Sequence, residues 1–133
     1  MGRTGVTAAP AGYGPVVNLG PPPPRWLLVD GRRVAPVEVP ETRSGRARGL
    51  LGRDHVDGAV LLLRTRSVHT FGMRIPIDVA RCTSSLVVVA VETLPPGRMT
   101  LPRLGTGAVL EAGAGAFERW GLTSGSQLAV SGR

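Results

Sequence analysis

Short apolar runs separated by turn-forming residues constrain this fold more than any other feature of the sequence. The longest of these runs, over residues 59–63 and 86–91, are no longer than a β-strand. The 19 Gly and 12 Pro residues leave few intervals in which a long helix could form. The pattern predicts a mainly β protein, argues against an all-α fold and contains no segment long enough to span a membrane as a helix.

Turn signals between the apolar runs indicate where the strands lie. Asp30 and Gly31 separate two such runs and predict a β-hairpin, because both residue types accept the positive φ angles of a two-residue turn. Pro36 predicts that the second hairpin strand lies at a sheet edge, since proline cannot donate to a ladder. Further strands are predicted over residues 59–63, 67–71, 77–82, 86–93, 108–112 and 127–131.

Two short helices complete the predicted fold. In the first, Thr42 is the candidate N-cap and Gly52 the candidate stop. The second covers residues 114–120 and ends at Gly121. Many short strands with two short helices indicate a compact β-sandwich or barrel-like domain.

Composition divides the chain into two parts. Residues 1–24 are rich in Gly and Pro and are predicted to form a disordered leader, and residues 25–133 are predicted to form a single domain. One cysteine, Cys82, cannot form an internal disulfide. The first residues lack the continuous apolar segment of a signal peptide, so a cytoplasmic location is predicted.

All sixteen basic residues are arginine. The absence of lysine excludes a Schiff base, a lysine nucleophile and a phosphate-loop lysine. A net charge of +7 and a pI near 11.5 suggest an anionic partner, although arginine without lysine is also typical of a GC-rich genome. Nucleic acid is the less favoured partner, because the aromatic residues after the leader are predicted to be core residues rather than stacking platforms: Trp26, Phe71, Phe117 and Trp120.

The stretch SVHTFGMRIPIDVA, residues 67–80, contains the main candidate site. Asp78 falls between apolar neighbours, so its carboxylate must be paired or hydrogen-bonded, and a structural role tying backbone amides together is favoured. A hydrolase or transferase that uses His69 and Asp78, with Thr70 or Cys82 as nucleophile, is the alternative. No histidine and cysteine spacing indicates a metal site, and no cofactor is predicted.

Four ordered segments of the chain resemble the domain of unknown function 192 family. They are ETRSGRARGLLGR, SVHTFGMRIPIDVA, the loop LPPGRMTLPR and AVLEAGAGAFERWGLTSG, and the resemblance as a whole covers about residues 26–131. The chain departs from the family pattern where members commonly carry S-F-W-M-K-N, having an HTFGM variant there, and Ser126 stands where an acidic residue is expected. The resemblance implies a small β-rich fold, found in exported and cytoplasmic forms, and no established reaction.

These observations predict a binding or accessory module whose surface is built from the arginine-rich helix of residues 46–53 and the HTFGM-IPID segment. The expected partner is a protein, a peptide or a small anionic ligand. The candidate contact residues are Arg46, Arg53, His69, Thr70, Met73 and Arg74. Structural support is assigned to Gly49, Gly52, Gly72, Pro76, Asp78 and Glu111.

Overall fold

The computed structural model describes residues 24–42, 45, 49–50 and 56–132. The described strands are β1 (Arg25–Val29), β2 (Arg32–Glu38), β3 (Ala59–Leu63), β4 (Ile77–Cys82), β5 (Val88–Leu94), β6 (Ala108–Gly113) and β7 (Leu128–Ser131), and a short helix, α1, covers Ala116–Trp120. The prediction of a mainly β protein is therefore confirmed. Within these residues no helix is long and apolar enough to cross a membrane.

The seven described strands form one mixed sheet in the order β5-β4-β6-β3-β2-β1-β7. Strands β2 and β3 pair in parallel, and the other neighbours pair antiparallel. The two ends of the sheet meet, because the Val88 amide donates to the Ser126 carbonyl and the Leu128 amide donates to the Leu86 carbonyl. The sheet therefore closes on itself, which is the barrel-like form of the predicted architecture.

Two apolar clusters cover opposite faces of the sheet. Along β6, Leu110 belongs to the first cluster and Val109 to the second, as the two-residue period of a strand requires. The first cluster takes buried residues from all seven strands and so lies inside the closed sheet, where Phe117 of α1 joins it. The second lies outside the sheet and includes Leu50 and Met73 from segments that cover β3, β6 and β4.

The local turn predictions are confirmed at the hairpin and at the helix end. Asp30 and Gly31 have φ angles of 50° and 83° and join β1 to β2. Helix α1 ends at Gly121, whose φ of 67° is in the left-handed region. Most of the first predicted helix, between Thr42 and Gly52, and almost all of the predicted leader lie outside the described residues.

The predicted strand over residues 67–71 is wrong. This segment is a loop with one isolated antiparallel bridge, between His69 and Met99. Threonine hydroxyls take the place of ladder partners, because the Val68 amide donates to Thr100 Oγ1 at 2.9 Å. Gly72 then turns the chain with a φ of 82°.

The edge position predicted from Pro36 is also wrong, since β2 lies between β1 and β3. The parallel pairing with β3 involves only Val37 and Glu38, so it begins just after the proline. Gly58 precedes β3 and approaches the Pro36 carbonyl so closely that a Cβ at position 58 would clash with it. Strand β2 therefore tolerates Pro36 inside the sheet, because its pairing with β3 is limited to the two residues that follow the proline.

Candidate functional site

Asp78 connects the start of β4 to the start of α1. Its Oδ2 accepts hydrogen bonds from the backbone amides of Gly115 (3.0 Å) and Phe117 (3.1 Å), and its Oδ1 accepts one from the Thr93 hydroxyl (2.7 Å). Helix α1 has Gly115 at its N-cap position and no local side-chain cap. Asp78, which lies on β4, thus supplies the hydrogen-bond acceptor that the side chain of an N-cap residue normally provides.

A groove of about 440 Å³ lies beside this carboxylate, between β5 and α1. The acidic residues Asp78, Glu92 and Glu118 line it together with apolar and hydroxyl side chains. Glu92 also forms an ion pair of 2.8 Å with Arg81. The described residues that line the groove include acidic residues and no basic residue, so it does not suit an anionic ligand.

Thr70 joins the loop of residues 67–74 to the loop of residues 95–104. Its side chain is fully buried, and its hydroxyl donates to the Pro95 carbonyl at 2.7 Å and accepts from the Arg98 amide at 2.8 Å. The Thr70 amide donates to the Arg98 carbonyl, and the Gly97 amide donates to the Thr70 carbonyl. The sequence pattern predicts a ligand contact for Thr70, but a molecule at the surface would not reach this hydroxyl.

Exposed and buried side chains alternate along the two joined loops. Val68, Thr70 and Thr100 face the second apolar cluster or are buried, whereas the residues between them are exposed. The exposed fractions are 52% for Phe71, 54% for Met99 and 70% for Leu101, and His69 is exposed as well. We call the four exposed residues, His69, Phe71, Met99 and Leu101, the two-loop surface. The predicted burial of Phe71 in the core is therefore wrong.

Backbone pairing places His69 beside Met99, and ring stacking places Phe71 beside His69. His69 and Met99 form an antiparallel bridge, and the flanking hydrogen bonds run from the Thr70 amide to Arg98 and from the Thr100 amide to Val68. This pattern marks His69 and Met99 as a non-hydrogen-bonded pair, whose Cα atoms lie about 4.5 Å apart with side chains on one face. The rings of His69 and Phe71 stack, with centroids 5.1 Å apart.

Positive charge predominates in the two chain segments that carry the two-loop surface. Residues 64–77 and 95–107 contain five arginines and no acidic residue. These arginines are Arg64, Arg66, Arg74, Arg98 and Arg103, and all five are exposed. The surface therefore combines apolar side chains with a cationic border.

The residues of the alternative catalytic mechanism have the following surroundings in the structure. His69 is exposed, and its Nδ1 accepts the Phe71 amide at 3.2 Å, whereas both oxygens of Asp78 are engaged by Thr93 and by the start of α1. Cys82 is fully buried, and burial raises the pKa of its thiol to about 12, so it stays protonated at neutral pH. Among the described residues, no cluster of His, Cys, Asp and Glu could hold a metal ion.

The remaining predicted site residues lie in different environments. Met73 is buried in the second cluster beneath the two-loop surface, while Arg74 and Pro76 are exposed. Gly49 is in contact with Glu111, because a Cβ at position 49 would lie 2.6 Å from Glu111 Oε1. This close approach and a φ of 48° explain why the position holds glycine. The predicted residues Arg46, Gly52 and Arg53 lie outside the described residues.

Sequence reasoning missed Met99 and Leu101 as surface residues. Both belong to the loop LPPGRMTLPR, which was assigned to the family pattern without a role for its side chains. The alternation M-T-L, with the polar residue between two apolar ones, is the available signal. In most strands of this kind the apolar residues are buried and the polar residue is exposed. Here the pattern is reversed, because Thr100 is buried and its apolar neighbours are exposed.

Comparison with known proteins identifies the family and the fold. The DUF192 family, described as "Uncharacterized ACR", matches residues 26–130. A crystal structure from Sinorhizobium meliloti, described as a "putative transcription regulator", superposes with a TM-score of 0.68 at 24% identity and covers 82% of this chain and 95% of its own. A protein of unknown function from Novosphingobium aromaticivorans gives 0.67 at 24% identity, covering 96% and 99%. No curated protein matches the chain.

Proposed function

This chain belongs to the domain of unknown function 192 family, and from that premise we propose that it is a binding module that docks a macromolecular partner on the two-loop surface. The observation that carries the proposal is the exposure of Phe71, Met99 and Leu101 together on two paired loops. Contiguous apolar side chains at a protein surface mark interaction sites more often than isolated ones do. The family supplies a fold and no reaction, which leaves binding as the role that this geometry supports best.

The loops are ordered before any partner arrives, which favours binding. Four hydrogen bonds between Thr70 and the loop of residues 95–98 fix their relative position. Met73 anchors the same loop in the second apolar cluster. A surface whose backbone is already ordered loses less conformational entropy on association, so more of the contact energy appears as affinity.

The arginine-rich segment belongs to this proposal as well. Arg46 and Arg53 are predicted from sequence to border the same surface, and Leu50 between them packs in the cluster beneath it. Substituting either arginine by alanine is expected to weaken docking, because each removes one positive charge from the border.

Site-specific photo-crosslinking tests the proposal. Benzoylphenylalanine would replace Phe71 in one variant and Val89, which is 51% exposed on β5, in a matched control. Both variants would be irradiated in a lysate of the source organism. We expect discrete protein adducts at position 71 that survive nuclease treatment and are absent at position 89. The same adducts at both positions, or none at position 71, would contradict the proposal.

Nucleic-acid binding is a second candidate, favoured by one observation. Phe71, predicted to be a core residue, is half exposed on a segment that carries exposed arginines. The S. meliloti neighbour is named a transcription regulator candidate, in keeping with this reading. Adducts at position 71 that disappear with nuclease, together with a steep loss of binding as salt rises, would favour this candidate.

A further inference from the structure

We infer that the partner presents a short acidic segment with two or three apolar side chains to the two-loop surface, an inference that rests on the proposed function. The reasoning begins with charge. Arg66, Arg98 and Arg103 are exposed and form no ion pair with any described residue. The opposite sign prevails in the groove beside Asp78, which Glu92 and Glu118 line. This asymmetry directs a negatively charged segment to the two-loop surface and away from the groove.

The dimensions of the surface limit how much of a partner it can hold. Residues two apart along an extended chain are about 7 Å apart, and a non-hydrogen-bonded pair across two chains is about 4.5 Å apart. Because the two loops run antiparallel, Phe71 and Leu101 extend in opposite directions from the His69–Met99 pair, and the surface is a short row of three apolar side chains and His69. Such an area matches two or three partner side chains and a weak, transient complex.

The chemistry of these side chains favours a peptide over a nucleic acid. Successive bases need exposed ring faces on which to stack. Here the two rings stack on each other, with an interplanar angle of 25°, so each covers one face of the other. Met99 and Leu101 offer no ring, whereas both pack readily against apolar side chains, and methionine adapts to different shapes.

His69 adds a directional contact for a carboxylate. Its Nδ1 accepts the Phe71 amide, so the proton of the neutral ring resides on Nε2. His69 is exposed, and Nε2–H can therefore donate outward from the surface. An aspartate or glutamate beside the partner's apolar residues would meet this donor and the arginine border together.

The experiment uses the full chain with two probes in parallel, a displayed library of random short peptides and a pool of random single-stranded RNA. The selected peptides are expected to be enriched in Asp and Glu next to Leu, Met or Phe. Phe71→Ser and Met99→Ser should each weaken a selected peptide about tenfold, as central contacts do, and Val89→Ser should change its affinity less than twofold. His69→Gln should weaken acidic peptides more than neutral analogues of the same length.

Three outcomes would overturn the inference. These are enrichment of neutral or basic peptides, equal losses for the Phe71 and Val89 variants, and selected RNA that binds more tightly than any selected peptide and depends on Phe71. None of these three outcomes changes the interpretation of the crosslinking experiment. Nuclease-resistant adducts at position 71 without acidic peptide enrichment would refute the acidic segment and retain the docking surface, whereas an absence of adducts would refute the docking surface itself.

Discussion

At the residue scale, Asp78 shows how one buried carboxylate can fix three segments of chain. It lies on β4 and receives hydrogen bonds from Thr93 on β5 and from the two amides that begin α1. A buried carboxylate without these donors would be expensive to remove from water. These contacts are the specific partners of the structural corner that the IPID sequence predicts.

Replacing Asp78 by asparagine tests this role. Asn keeps the shape, but it loses the negative charge that strengthens these hydrogen bonds, and its single oxygen replaces two acceptor oxygens. We expect the free energy of unfolding to fall by about 1–3 kcal/mol, measured by urea denaturation. Asp30→Asn is the matched control, because Asp30 is exposed and accepts one bond from the Gln127 amide, and it should change stability by less than about 0.5 kcal/mol. Equal losses for the two variants would show that the contacts of Asp78 are not structurally important.

At the element scale, the paired loops of residues 67–74 and 95–104 depend on threonine hydroxyls rather than on a strand ladder. Thr70 and Thr100 bond to backbone groups of the facing loop, and each is buried. This inward use of threonine leaves the intervening positions facing outward, including Phe71 and Met99. The two-loop surface is therefore exposed because the threonine side chains that hold the two loops together point inward.

Thr70→Val tests the fastening, because valine has nearly the same shape and lacks the hydroxyl. The Pro95 carbonyl and the Arg98 amide lose a partner, so the unfolding free energy should fall by about 1–3 kcal/mol. Hydrogen exchange should accelerate at the amides of residues 97 and 98. In the control, Thr65→Val, the lost bond is to the nearby Leu63 carbonyl, and exchange at residues 97 and 98 should not change. Unaltered exchange in the Thr70 variant would mean that the hydroxyl does not hold the loops together.

At the scale of the whole molecule, closure of the sheet separates the residues that stabilise the fold from those available to a partner. Strand β7 joins β1 on one side and the start of β5 on the other, and its Leu128 is buried in the interior cluster. Leu101, a leucine of the two-loop surface, is 70% exposed. One leucine is therefore buried inside the closed sheet, and the other is exposed on a loop outside it.

Alanine substitutions at these two leucines should separate the roles. Leu128→Ala removes buried methyl groups and leaves a cavity at the closure, so it should lower the unfolding free energy by about 2–5 kcal/mol. Leu101→Ala should change stability by less than about 0.5 kcal/mol and still weaken the selected acidic peptides. Thermal and urea unfolding measure the first effect, and peptide titration measures the second. Comparable destabilisation by both substitutions would indicate that Leu101 packs in the fold instead of serving a partner.

Local features follow from the amino-acid sequence alone: strand-sized apolar runs, the Asp30-Gly31 hairpin and the helix stop at Gly121. These depend on the conformational preferences of neighbouring residues, and the ordered motifs were sufficient to identify the family. The closure of the sheet, the interior position of Pro36 and the exposure of Phe71 became known from the three-dimensional structure. They depend on contacts between residues far apart in sequence, because Thr70 bonds to a residue 25 positions away and Asp78 to one 39 positions away. No local pattern specifies which distant group will meet a given side chain.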